Sequence, residues 1–254
     1  MSIIELKGSI ETQKAFSADE TIRLVLGILS LFRVGGIDYI RYYIQTDSIL
    51  PWGLISAERI HSAKHGKYVI KNEDVKPLIT FWSNMKNMEL PIPGLTGERK
   101  EPNELSIAYE RYSDSLDGGV VEKQISSAVM GLEALYLGGG EQQEMSYRLR
   151  ARVGKILGLI NYVPNQVSER LQDAYDVRSK YVHGGILRQK DRNKLESKYG
   201  DITEFSKTII DYLRASIVAL LKRPSKKSLI NLLDESLLDS NKDNAIKEML
   251  FTPY

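Results

Sequence analysis

Residues 163–185 read VPNQVSERLQDAYDVRSKYVHGG. A proline stands near the opening, where its missing N–H costs a helix nothing, and two glycines stand at the close, where helices commonly stop. Between them Val167, Leu171, Ala174, Tyr175, Tyr181 and Val182 share one side of the helical wheel, so a helix here buries an apolar stripe. Arg178 falls at the centre of that stripe. An unpaired buried charge costs on the order of several kcal/mol, so Arg178 needs an acid such as Glu133, a water-filled cleft or a ligand. Ser179 and His183 lie along one flank of the stripe, with His183 roughly 140° from Arg178 at the helical 100° per residue.

Working outward, the helical pattern continues on both sides. Val121, Ile125, Ala128, Val129, Leu132, Leu135 and Tyr136 recur at three and four residues and stop at Gly138-Gly139-Gly140, which marks a core helix. Residues 144–160, EMSYRLRARVGKILGLI, form a second helix before the quoted one. Residues 201–221, DITEFSKTIIDYLRASIVALL, form another, with Asp201 and Glu204 in cap-like spacing and Phe205, Ile209, Leu213, Ile217 and Leu220 on one side. Short connections between such helices imply antiparallel neighbours in a bundle. The tail, residues 228–250, carries one or two short amphipathic helices.

Residues 90–105, LPIPGLTGERKEPNEL, hold three prolines and two glycines and break any helix or central strand, which places a boundary near residue 100. Before it, residues 17–32 resemble a capped amphipathic helix with Ser17 and Glu20 in capping-box spacing. IDYIRYYI (37–44) and KYVI (67–70) favour strands. The expectation is a mainly α chain: residues 1–100 a smaller mixed α/β region, residues 101–254 an antiparallel helical bundle with a helical tail.

Composition narrows the chemistry. The 254 residues include no cysteine, which removes disulfides, thiolate nucleophiles and cysteine-ligated metals. The start, MSIIELKGSIETQKAF, lacks a signal-peptide pattern, and the apolar run at 24–32 is too short to span a bilayer, so a cytoplasmic location is expected. The net charge of +2 is unevenly spread: residues 178–198 carry seven Lys/Arg against two acids, and LKRPSKK (221–227) adds four cations. Clustered cations either make a solvated face or meet a phosphate backbone. His61 and His65 in HSAKH have the spacing of two zinc ligands, but Ser62 replaces the glutamate of HExxH and no third ligand is near, so no metal site is assigned. LGGGEQQ lacks the Gly-Lys-Ser/Thr ending of a phosphate loop, and DSLDGG lacks the spaced oxygens of a calcium loop.

DAYDVRSKYVHGG resembles the signature of the HEPN superfamily, in which Arg, a polar residue, spacers and His follow one another near the end of a bundle helix. The preceding residues 107–158, with "LEALY" and a "SYR…R" segment, are similar to the ApeA-like branch, and the resemblance covers roughly residues 105–221. It implies a metal-independent, cofactor-free endoribonuclease acting as a homodimer on RNA, of the kind found in antiviral defence and toxin systems. In such an enzyme His183 is the acid/base, Arg178 stabilises the phosphate, and Ser179 supplies a positioning hydrogen bond. Lys180, Arg188 and Lys190 flank the motif and guide the strand. Glu133 and Arg152 match characteristic positions and are read as a structural ion pair rather than as catalytic groups; Tyr175 and Tyr181 are read as core rather than as stacking platforms. The alternative is a HEPN module without catalysis that binds RNA or nucleotide, or serves as a dimerisation scaffold.

Overall fold

The computed structural model describes residues 18–37, 41–44, 55–58, 68–92, 103–139 and 143–253. The chain is mainly α. Its central helix, α4 (Val121–Tyr136), follows α1 (Ala18–Phe32), α2 (Val75–Met85) and α3 (Glu104–Leu116). Ile125, Ala128, Val129, Leu132, Leu135 and Tyr136 of α4 are fully buried, as their spacing requires. Around α4 stand α3, α5 (Met145–Leu159), α6 (Pro164–Val182) and α8 (Ile202–Ala219), while α7 (Gln189–Tyr199) lies against α8.

Two kinds of local chemistry fix the packing. At helix starts, Asn103 and Ser106 form a reciprocal capping box for α3, and the Asp201 carboxylate accepts the Thr203 N–H at 2.7 Å to open α8. Between helices, small residues permit close approach. A Cβ on Gly131 would stand 2.6 Å from a Leu213 methyl, so α4 and α8 touch there; one on Gly158 would stand 2.7 Å from Pro164 Cγ, where α5 turns into α6.

The helices on either side of the 90–105 boundary share one core. Ile28, Leu31 and Phe32 of α1 and Phe81 and Met85 of α2 join the same buried cluster as α4 and α8. The Tyr112 hydroxyl donates to the Ser30 carbonyl at 2.6 Å, and Arg214 Nη1 donates to the Leu31 carbonyl at 2.8 Å, tying the end of α1 to the bundle. The tail docks too. After α9 (Lys226–Ser236) and α10 (Lys242–Met249), the Phe251 N–H donates to the Ala219 carbonyl at 2.9 Å, and Asn84 of α2 donates to the Pro253 carbonyl at 3.0 Å.

In the N-terminal part, β1 (Arg41–Ile44) and β2 (Ile55–Glu58) pair antiparallel, with Arg41 opposite Glu58 and Ile44 opposite Ile55. Residues 68–70, at the end of KYVI, belong to no strand. The Ser17 cap and the HSAKH pair lie outside the described residues. Among the described residues no helix is long and apolar enough to cross a membrane, and no group of three metal-ligating side chains converges.

One buried cation locks three helices. Arg152 of α5 is fully buried; its Nε and Nη2 donate to the two Asp234 oxygens of α9 at 2.8 Å each, and Nη1 donates to the Tyr136 carbonyl at the end of α4 at 2.8 Å. Its carboxylate partner is thus Asp234, and Glu133 pairs elsewhere. Removing Asp234 takes away the carboxylate that two nitrogens of this buried guanidinium bind, a loss softened because Asp234 itself is half-exposed. Asp234→Ala should therefore lower stability by about 2–3 kcal/mol in urea unfolding, whereas Lys207→Ala, which breaks the exposed Lys207–Glu204 pair, should change it by less than about 1 kcal/mol. Equal losses would contradict the clamp.

Candidate nucleic-acid interface at the end of α6

The first turns of α6 bury Val167, Leu171, Ala174 and Val177 against α4 and α5. The stripe then meets Arg178, whose Nη2 donates to Glu133 Oε2 of α4 at 2.9 Å, with side chains 23% and 13% exposed. The guanidinium also lies 5.8 Å from the ring centre of Tyr175, one turn back. Arg178 is seated in the apolar stripe because an acid on the neighbouring helix meets it.

That acid is strained electrostatically. Glu133 Oε1 is buried without a hydrogen bond, and Arg178 Nε is likewise buried and unmatched. Burial pushes the Glu133 carboxyl above its ordinary range, and the Arg178 charge only partly offsets this. An ion pair at this distance would by itself lower the carboxyl; a single engaged oxygen is too little to outweigh desolvation.

The helix ends where the glycines predict. His183 is its C-cap; the Gly184 N–H donates to the Tyr181 carbonyl at 3.0 Å and the Gly185 N–H to the Lys180 carbonyl at 2.9 Å, the paired bonds of a Schellman stop. Gly184 has φ of +77°, a region that disfavours any Cβ, and a Cβ on Gly185 would sit 3.0 Å from the Lys180 carbonyl oxygen. The turn holds the exposed His183 at the end of the bundle.

Around it the motif spreads outward. Lys180 is exposed and pairs with Asp191 of α7 at 2.7 Å, which ties the end of α6 to the start of the next helix. Arg188, the N-cap of α7, and Lys190 are exposed. Ser179 is partly buried, and its backbone carbonyl accepts the His183 N–H at 3.3 Å. Tyr175 packs against the core as expected, but Tyr181 does not: it is 37% exposed, followed by Val182 at 51% and Ile186 at 84%. The bundle ends before the last turn of α6, so the apolar stripe runs past its neighbours into solvent. Within one chain, no described contact joins Arg178 to His183; one points into the α4 seam and the other outward.

No family model, curated protein or solved structure matches the chain. The resemblance in the motif therefore rests on its residues.

Two outcomes test this local picture. Gly184→Ala should cost about 1 kcal/mol by urea unfolding because of its left-handed backbone, while Gly139→Ala, with open space around its Cβ, should change stability by under about 0.5 kcal/mol. Glu133 carries a pH signature. With its folded-state carboxyl titrating above the ordinary 4.5, its contribution to stability is full below that pH and is lost as pH rises through the folded value. Glu133→Gln removes this dependence, so wild-type stability minus variant stability should fall as pH is raised from about 4 to about 7. A rising difference would show that the ion pair dominates.

Proposed function

We propose that the chain is a metal-independent endoribonuclease of the HEPN kind, with its active surface at the C-terminal end of α6 and a second copy of the chain completing the cleft. The observation that carries this reading is the exposed His183 presented by a glycine-locked turn, flanked by exposed Lys180, Arg188 and Lys190 and by the exposed apolar Tyr181, Val182 and Ile186. The cations suit a phosphate backbone. The apolar residues, continuing a core stripe into solvent, suit a homodimer contact.

The chemistry follows from these groups. The ribose 2′-OH attacks the adjacent phosphorus, its proton passes to a base, and the departing 5′ oxygen receives one from an acid, leaving a 2′,3′-cyclic phosphate. An imidazole serves both proton tasks because histidine as a class titrates near neutral pH. Arg178 stabilises the developing phosphorane charge: Glu133 engages Nη2 alone, and among the described residues Nη1 has no protein partner. Ser179 is the positioning group beside them, and the protein would act in the cytoplasm as a defence or toxin effector. A second reading has its own support. The Arg178–Glu133 pair also describes an arginine serving packing alone, which fits a HEPN scaffold that binds RNA without cutting it.

Incubation of the purified protein with single-stranded and structured RNA, with and without EDTA, separates the two. Chelator-resistant cutting with cyclic phosphate ends is the expected result, reduced at least about 100-fold in His183→Ala, an exposed position whose change leaves thermal stability unaltered, and in Arg178→Ala assayed well below that variant's own melting temperature. Binding without cutting would establish the scaffold, and cutting untouched in His183→Ala would remove this site from consideration.

A further inference from the structure

A hollow of about 520 Å³ opens on another face of the bundle, where the end of α1, the start of α6 and the middle of α8 meet. Its described lining carries four cations, Arg33, Arg170, Lys207 and Arg214, against one carboxylate, Asp211. Two of the cations are committed to structure. Arg33 is held by both oxygens of Asp74 and by the Val69 carbonyl. Arg214 donates Nε to Asp211 Oδ1 at 2.7 Å and Nη1 to the Leu31 carbonyl at 2.8 Å. Asp211 is committed as well, since its other oxygen accepts the Tyr162 hydroxyl at 2.7 Å.

Arg170 differs. Its Nη1 donates to the neutral Gln166 amide oxygen at 3.1 Å, its guanidinium lies 5.5 Å from the Tyr199 ring centre, and it faces the Tyr212 hydroxyl. The acid one turn along α6, Asp173, is occupied by Lys198 at 2.8 Å and by the Tyr199 hydroxyl at 2.6 Å. Arg170 thus brings a positive charge that no described carboxylate neutralises. Lys207 has an acid, Glu204, but both are solvent-exposed and such a pair is weak, so an anion can displace it.

We propose that this hollow binds a small phosphate-bearing ligand. Arg170, a planar fork, and Lys207, a mobile point charge, grip the phosphate oxygens, while Arg33 and Arg214, each fixed by a carboxylate, hold the rim rigid. The volume exceeds what a lone phosphate fills and falls within the roughly 300–1,000 Å³ of small-molecule sites. Phe32, Val34 and the Tyr162 ring supply an apolar wall for the body of the ligand. The site is separate from the α6 terminus, so it stands whether or not the chain cuts RNA.

Isothermal titration of the full chain with pyrophosphate, adenosine monophosphate and adenosine tests the assignment. Saturable binding of the monophosphate or of pyrophosphate is expected, with adenosine inert. Both Arg170→Gln and Lys207→Gln should weaken it at least about tenfold, and His183→Ala should leave it unchanged. Lys207 is a surface residue, so its variant folds even where loss of the Arg170 contacts to Gln166 and Tyr199 lowers stability. Absence of saturable binding up to millimolar phosphate ligand, equal binding of adenosine, or affinity unaltered in Lys207→Gln would overturn the proposal. RNA cutting is read separately, so failure here leaves the α6 site to its own assay.

Discussion

A guanidinium inside an apolar helix stripe is the constraint around which this end of the bundle is organised. Arg178 is kept there by Glu133, and Glu133 is itself buried more deeply than one hydrogen-bonded oxygen can compensate. Replacing both residues by hydrocarbon would remove two desolvation costs at once, so packing alone does not call for this pair. Arg152 makes the contrast plain. It is wholly buried, yet all three of its nitrogens find oxygen partners, as a structural cation should. Arg178 is held by one bond and leaves a buried Nε unmatched, so it is less completely satisfied than Arg152.

The second half of α6 changes its role within a few residues. Up to Val177 its stripe is core; from Tyr181 onward the same stripe stands in water, beside His183 and a cluster of cations. Exposed apolar and basic residues side by side at a rigid turn resemble the rim of an interface more than a solvated helix end. The Schellman stop keeps that surface fixed. Its left-handed residue is Gly184, where a Cβ would strain the backbone just beyond His183.

Much of the architecture is legible in the sequence where apolar period and punctuation coincide. Residues 121–136, 144–160, 163–183 and 201–221 carry a clear stripe with caps or glycines, and all are helical within a residue or two. Neither α2 nor α7 announces itself in this way. QKDRNKLESKY buries only Leu195, so it offers no stripe to read, and its helix is held by ion pairs such as Lys180–Asp191 and Lys198–Asp173. The pairing of Glu133 with Arg178 was one option the wheel left open; the partner of Arg152 lies 82 residues away and no local pattern points to it. Tyr181 was misplaced because a helical wheel shows which residues share a side but not where the neighbouring helices end. The cationic hollow, assembled from three distant segments, is invisible to any window of sequence.

The claim that RNA is handled at the end of α6 can be tested at one nucleus. The chain has three histidines, so the His183 imidazole is readily assigned in a nitrogen-correlated NMR spectrum against a His183→Gln control. Titration with a short RNA whose 2′-hydroxyls are methylated, which binds without being cut, should shift the His183 ring signals progressively. A His183 signal unmoved at saturating oligonucleotide would contradict the account.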